Sequence, residues 1–380
     1  MSCKSILGIA ASACVPALAF AGSGFVLNDD TTLHLTGVGQ VRFEDNVLLT
    51  KHNTKSDTIF SIIPGAELDY NGGQSKGVVT LSEDFERYAS NGHMDAELFS
   101  GIGELKYDSG MTKIDSRIGY RQMNQGSSSA RNADQTVRHD LFDASVNGNW
   151  SATAKTSIGS GIMYDRTNYA GAGYADNEHF SLPLDVYYSV SPKVDVSFGY
   201  RYRSTKIEEL PAVPVNYDSN DHFFNVGARG EFTPKLKGQF RVGYGIRDFD
   251  HQDTTDQLGL SGGLTYVYSP KTSFDFSVSN DFDNSVVGTS QEVFAVRTGG
   301  KFAFTPQWSA QAGLSFESTK YANSTRTDDF FVGDAAVAYA MNESVSIQGA
   351  YSYRTSSNSK TYSVYDFNSN LLSLGISLRY

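Results

Sequence analysis

Gly259-Leu260-Ser261-Gly262-Gly263 fits the G-x-S-x-G pattern of serine hydrolases. That chemistry needs a strained strand-to-helix turn to expose the serine. Here Leu258 and Leu264 flank the motif at strand spacing, so it reads as small residues inside a continuous strand. The seven His are scattered, and none falls in H-E-x-x-H or another metal-binding spacing. Asp248, Asp250, His251, Asp253 and Asp256 could offer oxygen ligands to calcium, but the glycine and glutamate of a calcium loop are missing. A solvated acidic loop is the better reading. The two cysteines, Cys3 and Cys14, stand in the first 14 residues, which leaves no thiol chemistry for the rest of the chain. No catalytic residue, metal or cofactor is expected.

The charges that repay attention lie on the polar faces of alternating segments. They are Arg42, Arg117, Arg121, Arg201, Arg203, Arg229, Arg241, Arg297 and Arg354, with Asp69, Asp143, Asp185, Asp195, Asp275, Glu317 and Asp334 among the acids. Two chemistries are open to them. They can brace a wall as a network of mixed sign, or they can line an aqueous path and set its selectivity. Either requires an element that keeps every second residue on one face.

Such elements recur to the last residue. Val194, Val196, Phe198, Tyr200 and Tyr202 alternate with Asp195, Ser197, Arg201 and Arg203. Leu236, Phe240, Val242, Tyr244 and Ile246 alternate with Lys237, Gln239, Arg241 and Arg247. This is the period-two signature of strands with one apolar and one polar face. About 18 such segments can be counted, each as long as a tilted membrane strand or slightly longer. Short connections, such as Ser191-Pro192-Lys193, Thr233-Pro234-Lys235 and Ser269-Pro270-Lys271, alternate with longer polar ones, such as those over 46–57, 124–136 and 207–220. Aromatic residues gather where strands meet the short turns: Tyr70, Tyr107, Trp150, Tyr188, Phe232, Tyr268, Phe304, Trp308 and Tyr339. They form one girdle at a lipid–water boundary.

Composition agrees. The 380 residues include 24 Phe, 22 Tyr and 36 Gly but only 9 Pro, and carry a net charge of -11. An acidic chain is a poor partner for nucleic acid. No later stretch approaches the apolar length of a spanning helix. A spanning chain of this kind must then be a closed barrel, which satisfies its own backbone groups in lipid. Lys4, the apolar stretch Ile6 to Ala21 and Ala19-Phe20-Ala21 fit an export signal over 1–21. Residues 22–380 are expected to form one all-β domain: a single antiparallel transmembrane barrel of about 18 strands, with short periplasmic turns and longer extracellular loops, in the outer membrane. An Arg facing mid-membrane lipid would cost about 2–4 kcal/mol. The alternation therefore turns Arg201, Arg203, Arg241 and Arg297 inward, and Phe198, Tyr200, Phe240 and Val242 outward. The final strand carries Leu374, Ile376, Leu378 and Tyr380 at alternate positions, which resembles the signal read by the barrel-assembly machinery. With no loop of great length and only about ten residues before the first strand, the expected lumen is wide and unplugged.

Further residues point to a family. Phe43-Glu44-Asp45-Asn46-Val47 is followed by a polar loop to Asp57, then by Phe85-Glu86-Arg87-Tyr88-Ala89 and Gly199-Tyr200-Arg201-Tyr202-Arg203. Their arrangement over the whole of 22–380 resembles the β-barrel porin type 2 family. That resemblance implies a conduit for an exported polysaccharide, working with periplasmic export components. A diffusion porin for small solutes and an outer-membrane enzyme or adhesin are the alternatives.

Overall fold

The computed structural model of the protein describes residues 24–126, 136–171, 173–208, 210 and 217–380. The export signal over 1–21 lies outside the described residues, as do parts of the connections expected over 124–136 and 207–220. The strands are β1 (Phe25–Asn28), β2 (Thr31–Glu44), β3 (Asp57–Gly72), β4 (Ser75–Tyr88), β5 (Ala96–Asp108), β6 (Thr112–Gly126), β7 (Thr136–Ser151), β8 (Thr156–Ala170), β9 (Asn177–Ser191) and β10 (Val194–Ile207). They continue with β11 (Ser219–Thr233), β12 (Leu236–Phe249), β13 (Thr255–Ser269), β14 (Thr272–Asn284), β15 (Ser290–Ala303), β16 (Trp308–Tyr321), β17 (Thr327–Ala340), β18 (Val345–Asn358) and β19 (Phe367–Arg379).

From β2 to β19 each strand pairs antiparallel with the next. β19 then closes on β2, from Leu371 opposite Glu44 to Arg379 opposite Thr36. The result is a closed barrel of 18 strands, as the alternation predicts. Closure pairs β19 with β2 along their shared span, so a barrel with no spanning helix among its described residues satisfies its backbone groups in lipid. The outer face is apolar: Phe198 is 62% exposed, and Ile62, Val226, Leu314 and Leu374 also point outward. In water this surface would favour aggregation; against hydrocarbon it is the stable arrangement. Tyr70, Trp150, Tyr188, Tyr268, Phe304 and Trp308 are exposed near the short turns, at the level expected of the girdle.

Two features depart from the expectation. The lead-in before the first barrel strand contains β1, which pairs with β2 through Phe25 opposite Leu33. The cause is a length mismatch, since β2 extends beyond the end of β19 on the short-turn side. Leu35 and Tyr380 exchange backbone bonds of 2.8 and 2.9 Å, and β1 covers the edge that remains below them. Phe25 meets the Tyr380 ring edge-on at 5.3 Å.

The second departure is in the lumen. Pairing of β13 with β14 stops at Leu260 opposite Asn280, although β13 begins at Thr255 and β14 runs on to Asn284. β14 and β15 stay paired as far as Asn284 opposite Ser290. The end of this hairpin leaves β13 and crosses to the β8–β10 side, where Ala175 N–H donates to the Val286 carbonyl at 2.9 Å. The expected wide, unplugged lumen is therefore corrected. The obstruction comes from strand ends joined by a short connection, 285–289, and loop length gives no hint of it. On the opposite side Val47 and Leu48 fold in from the connection after β2, packing against Ile59, Met94 and Tyr88.

Candidate functional site

Each of the arginines singled out by alternation lies on an inner face or bonds to a residue that does. Arg117 reaches Glu104 and bonds Asp143 at 3.0 Å, while Arg121 meets Asp143 at 3.2 Å. All four side chains stand on β5, β6 and β7, so the cluster braces adjacent strands. Arg42 bonds Ser61 at 3.2 Å and pairs with Glu86 two strands away. Arg354 similarly reaches Glu44 across β19. Arg229 pairs with Asp195 at 3.0 Å, its guanidinium 3.3 Å from the centre of the Tyr187 ring. Arg241 spans from β12 to Asp185 of β9 at 3.1 Å, and the same nitrogen donates to Tyr187 Oη at 2.7 Å. Arg297 is the loosest: it is about half exposed and stands 4.0 Å from Asp334.

Arg201 and Arg203 do something different. Arg201 on β10 bonds Asp281 on β14 at 2.8 Å, passing over β11, β12 and β13. Arg203 bonds Asp221 at 2.7 Å and the Phe282 carbonyl at 2.8 Å. Arg247, which was not among the expected site residues, is fully buried. It holds Asp221 at 2.7 and 2.9 Å, the Asp283 carbonyl at 3.1 Å and Ser290 Oγ at 2.8 Å. Its guanidinium lies 4.7 Å from the centre of the Phe282 ring. Charge-assisted bonds in a desolvated setting are among the stronger polar contacts. This cluster pins the β14–β15 hairpin as a chord across the lumen.

The G-x-S-x-G residues sit within β13, which continues as strand past them, so the turn that motif needs is absent. Gly259 has a packing reason instead: a Cβ there would stand 1.9 Å from the Phe223 ring. Phe223 is an inward aromatic beneath the hairpin, and Arg201 lies 5.1 Å from its ring centre. Among the described residues no three His, Cys, Asp or Glu side chains gather as a metal site would require.

Below the hairpin, toward the short turns, lies a cavity of about 980 Å³. Lys193, Arg229, Lys237, Arg297 and Lys301 line it against Glu231, Asp275 and Asp334, so cations outnumber acids five to three. Lys193 pairs with Glu231 at 2.5 Å, whereas Lys237 and Lys301 close no ion pair among the described residues. The sequence carries a signal for Lys237, which alternates with the outward Leu236 and shares the parity of Gln239 and Arg241. At the closing seam, Leu374, Ile376, Leu378 and Tyr380 are exposed on the outer side of β19.

A closed antiparallel barrel with an apolar exterior, a charged interior and one rim of short turns is a porin-like barrel of the outer membrane. The family profile described as "Putative beta-barrel porin 2" matches residues 37–380, and the chain belongs to this family. No curated protein matches the chain significantly. Solved structures of similar fold include the apoprotein form of the FrpB iron transporter from Neisseria meningitidis, F5-1 variant. It has 10% identity and a TM-score of 0.49 over 93% of this chain and 82% of that one. OccK2 (OpdF) of Pseudomonas aeruginosa in complex with glucuronate has 10% identity and a TM-score of 0.48, over 94% and 99%. OpdL of Pseudomonas aeruginosa has 12% identity and a TM-score of 0.46, over 92% and 99%.

Proposed function

We propose that the barrel is a diffusion channel for small hydrophilic solutes, with a chamber on its short-turn side that favours anions. One observation carries this reading: a chamber of about 980 Å³ with five cations to three acids, lying under a hairpin that narrows the lumen. Fixed wall charge acts on ions within a Debye length, about 10 Å at 0.1 M salt, and low-dielectric walls strengthen it. In planar bilayers the protein is expected to form channels whose reversal potential in a salt gradient reports anion preference. Replacing Lys237, Arg297 and Lys301 together with Glu should turn that preference toward cations. Channels indifferent to this change would reduce these residues to wall structure, and a folded barrel that never conducts would end the reading.

Polysaccharide export is the second reading, supported by family resemblance. A polymer strand needs clear passage at the level of the hairpin, so export depends on that hairpin leaving the lumen. In cells, the chamber variant should then impair delivery of an acidic polysaccharide; under the diffusion reading it should alter uptake of small anions. Leu374, Ile376, Leu378 and Tyr380 are proposed to carry the assembly signal. Tyr380→Asp should lower the amount of barrel in the outer membrane, and undiminished levels would dismiss that role.

A further inference from the structure

We infer that the β14–β15 hairpin end is a gate with two positions written into its strand register: the inward one seen here, and an outward one in which residues 281–284 complete the ladder with β13. The inference rests on the channel reading.

Register is the first argument. The ladder runs without interruption from Val267 opposite Ser273 to Leu260 opposite Asn280, then stops while both strands continue. Extending it places Gly259 opposite Asp281, Leu258 opposite Phe282 and Gln257 opposite Asp283, with no bulge or slip. Facing residues in such a ladder share a side of the sheet. Leu258 is 58% exposed on the outer face, beside the exposed Tyr244. The outward position would set Phe282 next to Leu258 at the upper edge of the apolar band. Asp281 and Asp283 would still face the lumen. In the inward position Phe282 is instead 6% exposed, packed against Gly245 and Arg247.

The second argument is that the inward position leaves polar groups poorly served. The Leu258 carbonyl, which a neighbouring strand would ordinarily bond, takes the Asn280 side-chain amide at 2.6 Å. Gln257 Oε1, Asp283 Oδ2 and both polar atoms of the Asn284 side chain are buried without a hydrogen-bond partner. Each such group is destabilising, and the completed ladder would relieve the crowding that buries them. Against this stand the bonds from Arg201, Arg203 and Arg247 and the single tip bond to Ala175. The two positions thus exchange side-chain bonds for backbone bonds. The motion breaks no other pairing: β14 stays joined to β15 up to Ser290, and β15 to β16 up to Tyr321.

Paired cysteines test this, because the only native ones are Cys3 and Cys14. Leu258→Cys with Phe282→Cys can join only in the outward register, since the two side chains now lie on opposite faces of the wall. Ala175→Cys with Gly288→Cys, made together with Ile207→Ala, holds the inward one; a Cβ at Gly288, where φ is +80°, would stand 3.1 Å from that of Ala175 and 2.8 Å from Ile207 Cγ2, so with Ile207 shortened the connection has only a few tenths of an ångström to move to reach disulfide spacing. Leu264→Cys with Phe276→Cys, already opposite in the ladder, is the control for folding and oxidation. In oxidised, heat-modifiable protein we expect the outward disulfide to form and to raise single-channel conductance several-fold over the inward lock, with reductant erasing the difference. An outward pair that stays reduced while the control pair oxidises overturns the gate. So does equal conductance from the two locked forms, which would leave the channel reading intact. Protein that never conducts removes the channel reading, and the register claim is then decided by the disulfide alone.

Discussion

The β5–β7 wall and the β10–β14 chord use the same chemistry to opposite ends. In the wall, Arg117 and Arg121 of β6 share Asp143 of the neighbouring β7, and neither reaches across the lumen for that bond. In the chord, Arg201, Arg203 and Arg247 reach Asp281, the Phe282 carbonyl and the Asp283 carbonyl on a hairpin that has left its place in the wall. Residue type does not separate the two regions, and neither does alternation. The difference lies in whether the partner strand is still bonded to its neighbour. Where the ladder is whole, an inward ion pair adds stiffness. Where it is broken, the pair decides the shape of the lumen.

The sharpest way to break this contrast is to remove one arginine from each region. Arg247 is fully buried and bonds Asp221, Asp283 and Ser290. Its removal leaves Asp221 with Arg203 alone and takes a charged donor from the Asp283 carbonyl and from Ser290 Oγ; each hydrogen bond to a charged group is worth about 1.5–3 kcal/mol. Arg247→Ala should therefore lower the unfolding midpoint in denaturant markedly and, by loosening the hairpin, increase conductance. Arg117→Ala leaves Asp143 with Arg121 and leaves Glu104, whose side chain is more than a third exposed, to water; it is expected to cost no more than about 1 kcal/mol, as partly exposed pairs do, with conductance unchanged. Equal effects of the two would mean that the chord is only another brace.

A smaller effect should appear in selectivity. Arg201, Arg203 and Arg241 are each held by one or more bonds shorter than 3.2 Å, so their charge is largely answered locally. Arg297 is not, at 4.0 Å from Asp334. Arg297→Glu should move the reversal potential more than Arg121→Glu does, even though both reverse one inward charge. A larger shift from Arg121→Glu would place the selective region in the wall opposite the chamber.

The sequence made the barrel legible because lipid enforces alternation at every strand. The inner placement of Arg201, with Phe198 outward, follows from the same constraint. The chord was not legible by loop length, since the connection 285–289 is short. Its trace is subtler: Asn280, Asn284 and Glu292 occupy positions whose alternation points to lipid, where polar side chains are costly. Polar residues at outward parity mark a strand end that is not held against hydrocarbon, which suits both the inward position and one at the upper edge of the apolar band. The third arginine of the cluster, Arg247, looks in the sequence like one more inward arginine, because spacing cannot show which charges meet across a lumen.

A contact outside both regions joins two connections at the rim of the barrel wall, beside the seam where β19 meets β2. Lys51 bonds Asp366 at 3.0 Å and the Ser363 carbonyl at 2.9 Å, and all of these groups are open to solvent. Burial is the largest single influence and pushes the Asp366 carboxyl up, but the bonds from the Asn358 amide groups and from Lys51 together outweigh it and hold its pKa below the ordinary carboxylate value. The sign follows from that depression. When the connection over 359–366 opens, Asp366 returns to its ordinary pKa and takes up a proton more readily than in the closed form. The contribution of this contact is present above the ordinary carboxylate range near pH 4 and is lost as pH falls through the depressed value. Limited proteolysis at 359–366 by an acid-active protease should accelerate as pH drops below about 4, while the barrel remains heat-modifiable. Lys51→Ala should raise cleavage near pH 5 and shrink the acid-dependent increase. Conductance should be insensitive to either change, because this contact, unlike the chord, spans no part of the lumen. A conductance step that tracked the protonation of Asp366 would show that the wall-side connections also control the path.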